Sequence, residues 1–136
     1  MDDCLFCDIV KGNTPAWKIY EDDHFLAFLD VYPASKGHAL VIPKEHHPEL
    51  LDLPDYELKH ALEVVQKVAD AVCEAVDADG FNILQSNNPV AGQEVFHIHF
   101  HIIPRFQGDD VTIDWEGEEL DDGNAQDLLK KIKDCM

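Results

Sequence analysis

The sequence contains very little positive charge. Ten Lys and Arg residues face 28 Asp and Glu residues, the formal net charge is −18, and Arg105 is the only arginine. Binding of polymeric nucleic acid requires clustered cations that replace the counterions of the phosphate backbone. The composition therefore argues against a nucleic-acid partner. It predicts instead a solvated acidic surface, of the kind that keeps a halophile-like protein soluble in high salt.

The sequence also lacks long hydrophobic runs. A membrane-spanning helix takes roughly 20 apolar residues, and no run approaches that length. The amino-terminal residues MDDCLFCDIV are acidic and lack the basic start and apolar centre of a secretory signal. We therefore expect a cytoplasmic protein with no membrane partner, in which four cysteines need not form a disulfide framework.

Internal repeats, low-complexity tracts and flexible linkers are absent too, so we expect residues 1–136 to form a single domain. Period-two patterns and turn residues predict strands over Ile19–Glu21, Phe25–Leu29, Ala39–Ile42, Phe81–Gln85 and Val95–Pro104. We predict short helices near the two ends, over residues 4–11 and Ala125–Lys133, and a long helix from Pro54 to Asp77. Strands grouped around one long helix indicate an antiparallel α+β fold.

The long helix has a single apolar stripe at three- and four-residue steps. The stripe consists of Leu58, Ala61, Leu62, Val65, Val68, Ala69, Val72 and Val76. Asp52 is expected to cap the start of this helix, and Gly80 is expected to end it.

Three histidines alternate with large apolar residues in Val95–Pro104. In a strand, His97, His99 and His101 would share one face, while Ile98, Phe100 and Ile102 would point into the core. Three interpretations of such a face are open: exposed solvated histidines, a three-histidine zinc site, or a nucleophilic imidazole flanked by two helpers.

The run resembles the His-x-His-x-His-x-x motif of the histidine-triad (HIT) superfamily, in which x is hydrophobic. The similarity extends to Ala91-Gly92-Gln93 before the motif, to Ile103-Pro104-Arg105 after it, and to Phe28-Leu29-Asp30 and residues 37–44. It covers about residues 4–106 and is strongest for microbial members, which include nucleoside phosphoramidases and dinucleoside polyphosphate hydrolases. It implies a HIT-like fold, with an antiparallel sheet of about five strands. The acidic tail and helix over 107–136 match nothing recognisable.

The resemblance implies a role for each matched residue. His99 would attack the α-phosphate of a purine nucleotide conjugate and form a covalent nucleotidyl-histidine, with His101 assisting the leaving group and His97 orienting the site. Asp30 would accept hydrogen bonds from the ribose hydroxyls. The remaining nucleotide-binding residues would be Phe6, Phe28, Val31, Ser86, Gly92, Gln93 and Glu94.

Glu94 departs from the serine of animal phosphoramidases, and a carboxylate there would repel phosphate. Because the protein is so acidic, backbone N–H groups around Gly92–Glu94 and protonated histidine would have to supply the positive potential.

Cys4-x-x-Cys7 is half of a tetrahedral zinc site. By the same resemblance, His46 and His97 would complete a structural site, and the chemistry itself would need no metal. The alternative is a pair of reduced, unliganded thiols. We expect His47 and His60 at the surface and His38 in a turn, with a position packed near the site as the alternative for His38.

Two other functions stay open. One is a dinucleoside polyphosphate hydrolase or nucleotidyl transferase, which would differ only in the leaving group. The other is a nucleotide-binding or zinc-stabilised interaction protein without turnover. The resemblance also implies a homodimer, for which the long helix is a candidate interface.

Overall fold

The fold is built on one antiparallel sheet. The computed structural model describes residues 4–136. Asp2 and Asp3 of the acidic amino terminus lie outside the described residues. The strands are β1 (Lys18–Glu21), β2 (Phe25–Leu29), β3 (Ala39–Pro43), β4 (Gly80–Leu84) and β5 (Phe100–Arg105). Their order in the sheet is β1-β2-β3-β5-β4.

Three α-helices complete the described fold: α1 (Leu5–Val10), α2 (Asp55–Val76) and α3 (Asp122–Asp134), with short 3₁₀ turns at Leu50–Asp52 and Pro89–Ala91. The predicted α+β class, with a five-stranded antiparallel sheet, one long helix and short terminal helices, is confirmed. Within residues 4–136, no helix is both long and apolar enough to span a bilayer.

Strands β2 and β3 are buried on both faces, as expected for uninterrupted apolar runs. One face carries Phe25, Ala27, Ala39 and Val41, which pack in a cluster with α2. The other face carries Leu26, Phe28, Leu40 and Ile42, which pack in a cluster with α1. The sheet therefore separates a core beneath α2 from a second apolar layer beneath α1.

Most of the apolar stripe of α2 is buried against the sheet of the same chain. Ala61, Val65, Val68, Ala69 and Val72 are buried as predicted, together with Val64. Leu62, which the pattern placed on the buried stripe, is instead 61% exposed.

The predicted bounds of α2, Pro54 and Asp77, coincide with its two cap residues, but neither Asp52 nor Gly80 caps the helix. Asp52 does not cap the helix, because its carboxylate accepts from the Glu49 N–H at 3.2 Å within the preceding 3₁₀ turn, and Pro54 occupies the cap position. The helix ends at Asp77, which takes the left-handed conformation with φ 55°, and Gly80 already begins β4.

The strand predicted over Val95–Pro104 is shorter, beginning at Phe100 and ending at Arg105. The residues before it bond outside the ladder: the Ile98 N–H donates to the His47 carbonyl at 2.7 Å, and the His97 ring bonds the Pro43 carbonyl at 2.8 Å. The predicted alternation nevertheless holds, because Ile98, Phe100 and Ile102 all join the core beneath α2.

The carboxy-terminal helix α3 starts earlier than predicted. The Asp121 side chain caps it by accepting from the Asn124 N–H at 2.9 Å. No residue of α3 is buried.

Gly37 gives a direct test of the packing between the sheet and α2. Its φ is +90°, and a Cβ there would lie 3.0 Å from Val72 Cγ1. Gly12 has a similar φ of +82° but open space around it. We expect Gly12→Ala to cost about 1 kcal/mol of unfolding free energy from backbone strain alone. Gly37→Ala should cost about 1–3 kcal/mol more through overpacking. Urea denaturation measures both, and equal losses would contradict this packing.

Candidate active site

His99 is held as the nucleophilic tautomer of imidazole. The ring is 7% exposed, and its Nδ1 lies 2.8 Å from the His97 carbonyl oxygen. Because a carbonyl oxygen can only accept, Nδ1 must carry the proton, and the lone pair is left on Nε2. Burial lowers the pKa of His99 below its ordinary value, against the opposing effects of the His97 carbonyl and the charges of Asp30 and Glu94. The ring is therefore neutral at pH 7.

A chain of hydrogen bonds fixes the tautomer of His101. The Ala34 N–H donates to His38 Nδ1 at 2.9 Å, so the proton of the neutral His38 ring is on Nε2. His38 Nε2 lies 2.9 Å from His101 Nδ1, to which it donates. His101 consequently carries its own proton on Nε2 and presents an N–H donor.

His101 is also neutral in the free site. Burial, followed by the neighbouring His99 and His38 rings, lowers the pKa of His101 to about 4. The centroids of the His99 and His101 rings are 4.9 Å apart. A nucleophilic nitrogen and an N–H donor therefore lie side by side.

His38 lies at the candidate site, although the sequence assigns it no role there. It was expected in a turn, yet it is only 6% exposed and bonds to His101 across the sheet. The pairing of Leu40 with His101 in the β3–β5 ladder brings the two rings together. The Gly37-His38 dipeptide before a strand is compatible with an ordinary turn, so the local sequence carries no sign of this contact.

A cavity of about 410 Å³ opens beside these rings on the α1 face of the sheet. Eight predicted residues line it: Phe6, Phe28, Asp30, Val31, Gly92, Glu94, His99 and His101. His38 and Tyr32 line it as well. Three predicted residues do not line it: Ser86, Gln93 and His97. The cavity has one apolar end and one end with titratable groups, which suits an amphipathic ligand.

The two ends of the cavity are held by different contacts. At the apolar end, the Phe6 ring meets Phe28 and His99 edge to face, with centroids 5.7 Å and 5.0 Å away. At the polar end, one Asp30 oxygen accepts from the Tyr32 N–H at 2.8 Å. The other oxygen lies 3.5 Å from His38 Nε2. The Asp30 carboxylate is thus oriented and still partly accessible.

In the loop before the histidine triad, some of the backbone N–H groups already make hydrogen bonds within the loop. The N–H groups of Gly92 and Gln93 already donate to the carbonyls of Pro89 and Asn88, at 3.0 Å and 3.2 Å. Of the N–H groups around Gly92–Glu94 that were expected to supply positive potential, these two are therefore already bonded within the loop. Within residues 4–136, the Glu94 N–H has no such internal partner.

Gln93 and Ser86 are placed behind this loop. The buried Gln93 side chain accepts from the Asn88 N–H at 2.7 Å and donates to the Pro48 carbonyl at 2.6 Å. A Cβ at Gly92, where φ is +99°, would lie 3.9 Å from the Ser86 hydroxyl. Gln93 therefore shapes the loop, and the loop's close approach to the cavity is made at Gly92.

The four predicted metal ligands converge on one point beneath α1. One ligand atom from each of Cys4, Cys7, His46 and His97 lies within 4.8 Å of the others. Cys4 Sγ is 3.3 Å from His97 Nδ1, and Cys7 Sγ is 3.4 Å from His46 Nδ1 and 3.6 Å from His97 Nδ1.

This donor set fits a zinc ion. With the usual bond lengths, sulfur and nitrogen on a tetrahedral zinc lie about 3.6 Å apart. His97 Nε2 lies 2.8 Å from the Pro43 carbonyl and donates to it, so the Nδ1 lone pair is free for a metal. Burial and the adjacent Cys4 raise the pKa of the Cys7 thiol to about 11 when no cation is present. A bound cation would supply the charge that favours thiolate.

His97 joins the metal-ligand cluster to the nucleophile. The residue is fully buried, its ring points toward the cysteines, and its backbone carbonyl holds the His99 ring. Burial lowers the pKa of His97 to about 4, so this ring is neutral as well. His97 therefore supports the site from outside the cavity.

Comparison with known proteins agrees with this architecture. The HIT domain family model matches residues 11–108. An uncharacterized HIT-like protein of Methanocaldococcus jannaschii is 45% identical over 130 residues, which cover 96% of this chain and 98% of the relative. The adenosine 5′-monophosphoramidase HNT1 of Saccharomyces cerevisiae is 38% identical over 130 residues, covering 95% of this chain and 80% of that enzyme.

Solved structures agree with the fold, and one of them contains zinc. A HIT family member from Bacillus subtilis superposes with a TM-score of 0.94 at 38% identity, covering 99% of this chain and 98% of the other. A zinc-bound histidine triad protein from Mycobacterium smegmatis superposes with a TM-score of 0.77 at 37% identity, covering 98% of each chain.

The hydrogen-bond pattern predicts the tautomers of the two histidines that line the cavity. At pH 7, His99 should be neutral with its proton on Nδ1, and His101 neutral with its proton on Nε2. Long-range nitrogen–proton correlation spectra of the ¹⁵N-labelled protein distinguish the two forms. Because burial lowers both pKa values, each ring should titrate below pH 6.5. A proton on Nε2 of His99 would contradict the assignment.

Proposed function

The chain belongs to the HIT domain family, and we propose that it hydrolyses nucleotide conjugates at the α-phosphate with His99 as the nucleophile. The observation that carries this proposal is the bond from His99 Nδ1 to the His97 carbonyl at 2.8 Å. It leaves the Nε2 lone pair of a neutral imidazole in a cavity that also contains Asp30 and the His101 N–H donor.

The cavity suits a purine nucleoside monophosphate group. Phe6, Phe28 and Val31 form apolar walls for the base, and the partly accessible Asp30 carboxylate accepts from the ribose hydroxyls. The α-phosphate then lies near His99, His101 and the Glu94 N–H. Ser86 and Gln93 act through the shape of the loop rather than by direct contact.

The first step exchanges one bond to phosphorus for another. His99 Nε2 forms a bond to the α-phosphorus as the bond to the leaving group breaks. Nδ1 keeps its proton, so the adduct is an imidazolium whose charge the His97 carbonyl stabilises. The leaving atom needs a proton. The negative phosphate raises the pKa of the adjacent His101, whose second proton enters at Nδ1 in place of the hydrogen bond from His38 Nε2, so that the ring can donate its Nε2 proton.

The second step returns the enzyme to its starting state. Water attacks the phosphorus, the bond to His99 Nε2 breaks, and the nucleoside monophosphate leaves. The proton from the water passes to solvent, and His99 is again neutral with its proton on Nδ1.

The leaving group is most consistently an amine. The Saccharomyces relative is an adenosine 5′-monophosphoramidase. A dinucleoside polyphosphate would place a second anionic nucleotide near the Glu94 carboxylate, which opposes it electrostatically.

We further propose that Cys4, Cys7, His46 and His97 hold a structural zinc ion, as their spacing and the zinc-bound relative support. The bound ion would neutralise the two thiolates and fix the His97 ring. Through the His97 carbonyl it would also fix the position of His99, while the α-phosphate chemistry stays with the histidines.

A homodimer is proposed on the evidence of an apolar groove between α2 and β4. Leu62 is 61% exposed, and Phe81 and Ile83 on the edge strand are 50% and 41% exposed. These residues line one groove together with Val65 and Ala69. A second copy packed there would cover both the apolar side chains and the open strand edge.

Replacing the nucleophile should abolish turnover. For hydrolysis of adenosine 5′-phosphoramidate, His99→Ala should lower kcat by about 10⁴-fold or more. Binding of adenosine 5′-monophosphate, measured by calorimetry, should change by less than about tenfold, because the base and ribose contacts remain. His24→Ala is the matched control, because it removes an exposed histidine.

Steady-state rates with adenosine 5′-phosphoramidate and diadenosine tetraphosphate separate the alternatives. Faster turnover of the dinucleotide would keep the nucleophile and change the substrate class. A folded wild-type protein that binds the monophosphate and turns over neither compound would contradict the enzymatic proposal and favour a binding protein.

Glu94 should weaken substrate binding at neutral pH. Glu94→Gln removes a negative charge from the phosphate end of the cavity, so KM should fall by about two- to tenfold. The Glu94 charge also raises the pKa of His99. In the variant, the acid limb of the pH profile of kcat/KM should therefore shift to lower pH. Glu118→Gln, in the exposed tail, controls for net charge, and an increase in KM for Glu94→Gln would contradict the assignment.

Removing zinc should destabilise the fold measurably. A chelator should lower the Tm, and added Zn²⁺ should restore it, since binding at about 1,000 times Kd stabilises by about 4 kcal/mol. Cys7→Ser should lose most of the response to Zn²⁺. Cys135→Ser should keep it, because Cys135 is an exposed free cysteine. If wild type and Cys7→Ser respond equally, these thiols do not bind the ion.

A further inference from the structure

A second group of metal-ligating side chains lies beside the first. Glu45, His47 and Glu57 each offer one ligand atom, and these atoms lie within 4.8 Å of one another. His47 Nε2 is 2.9 Å from Glu57 Oε2 and 3.2 Å from Glu45 Oε1. His47 was expected at the surface, but its side chain is only 13% exposed.

Two atoms in this group are buried without a hydrogen-bond partner. Glu57 is 1% exposed, although it carries a carboxylate. Within the described part of the chain, neither its Oε2 nor the facing His47 Nε2 makes a hydrogen bond, although the two atoms lie at ion-pair distance, 2.9 Å apart. A buried carboxylate that faces a buried imidazole nitrogen needs positive charge between the two atoms, which either a proton on the His47 ring or a bound metal ion can supply.

We propose that Glu45, His47 and Glu57 bind a divalent transition-metal ion, separate from the thiolate site. Nitrogen and oxygen ligands on one such ion lie about 3.0–3.5 Å apart at normal bond lengths, close to the separations found here. One imidazole and two carboxylates form a borderline-to-hard donor set, which suits Zn²⁺, Mn²⁺ or Co²⁺. The Glu45 side chain is 67% exposed, so the ion can enter from solvent and complete its coordination with water.

The position of the site gives the ion a structural role. Glu45, His46 and His47 are consecutive, and His46 turns to Cys7 while its two neighbours turn to Glu57. Glu57 lies in the first turn of α2. The ion therefore ties α2 to the segment whose His47 carbonyl accepts the Ile98 N–H at 2.7 Å, directly between His97 and His99.

Cobalt titration of the metal-free full-length protein tests this proposal. Thiolate-bound Co²⁺ gives an intense sulfur-to-metal charge-transfer band, whereas Co²⁺ on imidazole and carboxylates gives only weak visible bands. Wild type should bind a first equivalent with the charge-transfer band and a second without it. A background of about 1 M potassium chloride suppresses binding by the acidic surface.

Two variants and one control locate the second equivalent. Glu57→Gln should abolish it, and Glu45→Gln, at an exposed position, should weaken it by about tenfold or more. Both should keep the charge-transfer band. Glu74→Gln, an exposed carboxylate on the same helix, should bind both equivalents.

Two results would overturn the proposal. One is a single equivalent in the wild type. The other is a second equivalent that survives unchanged in Glu45→Gln and Glu57→Gln, which would place that ion on the acidic surface. Because neither readout involves hydrolysis, the result is independent of the catalytic proposal.

Discussion

The hydrogen bond from the His99 ring to the His97 carbonyl is the contact on which the rest of the site depends. It selects the His99 tautomer and aims its free nitrogen into the cavity. The carbonyl has a fixed position because the His97 ring is held on one side by the Pro43 carbonyl and on the other by Cys4 and Cys7. The neighbouring Ile98 N–H is held by His47. The hydrogen bonds that position the His99 ring thus run through the short segment before β5, while Phe6 of α1 packs against the same ring.

A chain with a net charge of −18 must still bind an anion. Burial lowers the pKa of all three triad histidines, so the free site relies on neutral N–H donors and lone pairs rather than on fixed positive charge. The entering phosphate then favours protonation of the imidazole beside it. Under the proposed mechanism, substrate binding would create the charged form that departure of the leaving group requires, near the negative charges of Glu94 and Asp30.

The sequence predicts the fold class and much of the site, because those features have local patterns. The uninterrupted apolar runs Phe25–Leu29 and Ala39–Ile42 mark the central strands, and the histidine alternation marks the face that meets the cavity. Contacts made across the sheet leave no pattern in the local amino-acid sequence. His38 meets His101 only through strand register, and His47 meets Glu57 only through the packing of α2. The predicted start of β5 was wrong because the Ile98 N–H bonds to the distant His47 carbonyl, and the bonds that the Gly92 and Gln93 N–H groups make within their loop likewise have no sequence pattern.

The stereochemical course at phosphorus tests the nucleophilic role of His99 most directly. Hydrolysis of a phosphoramidate made chiral at the α-phosphorus by a single sulfur atom, carried out in ¹⁸O-labelled water, gives a product whose configuration can be read by ³¹P NMR. Attack by His99 followed by attack by water inverts the phosphorus twice, so the product should show overall retention. Inversion would mean that water attacks the α-phosphorus directly, and it would contradict a covalent nucleotidyl-histidine.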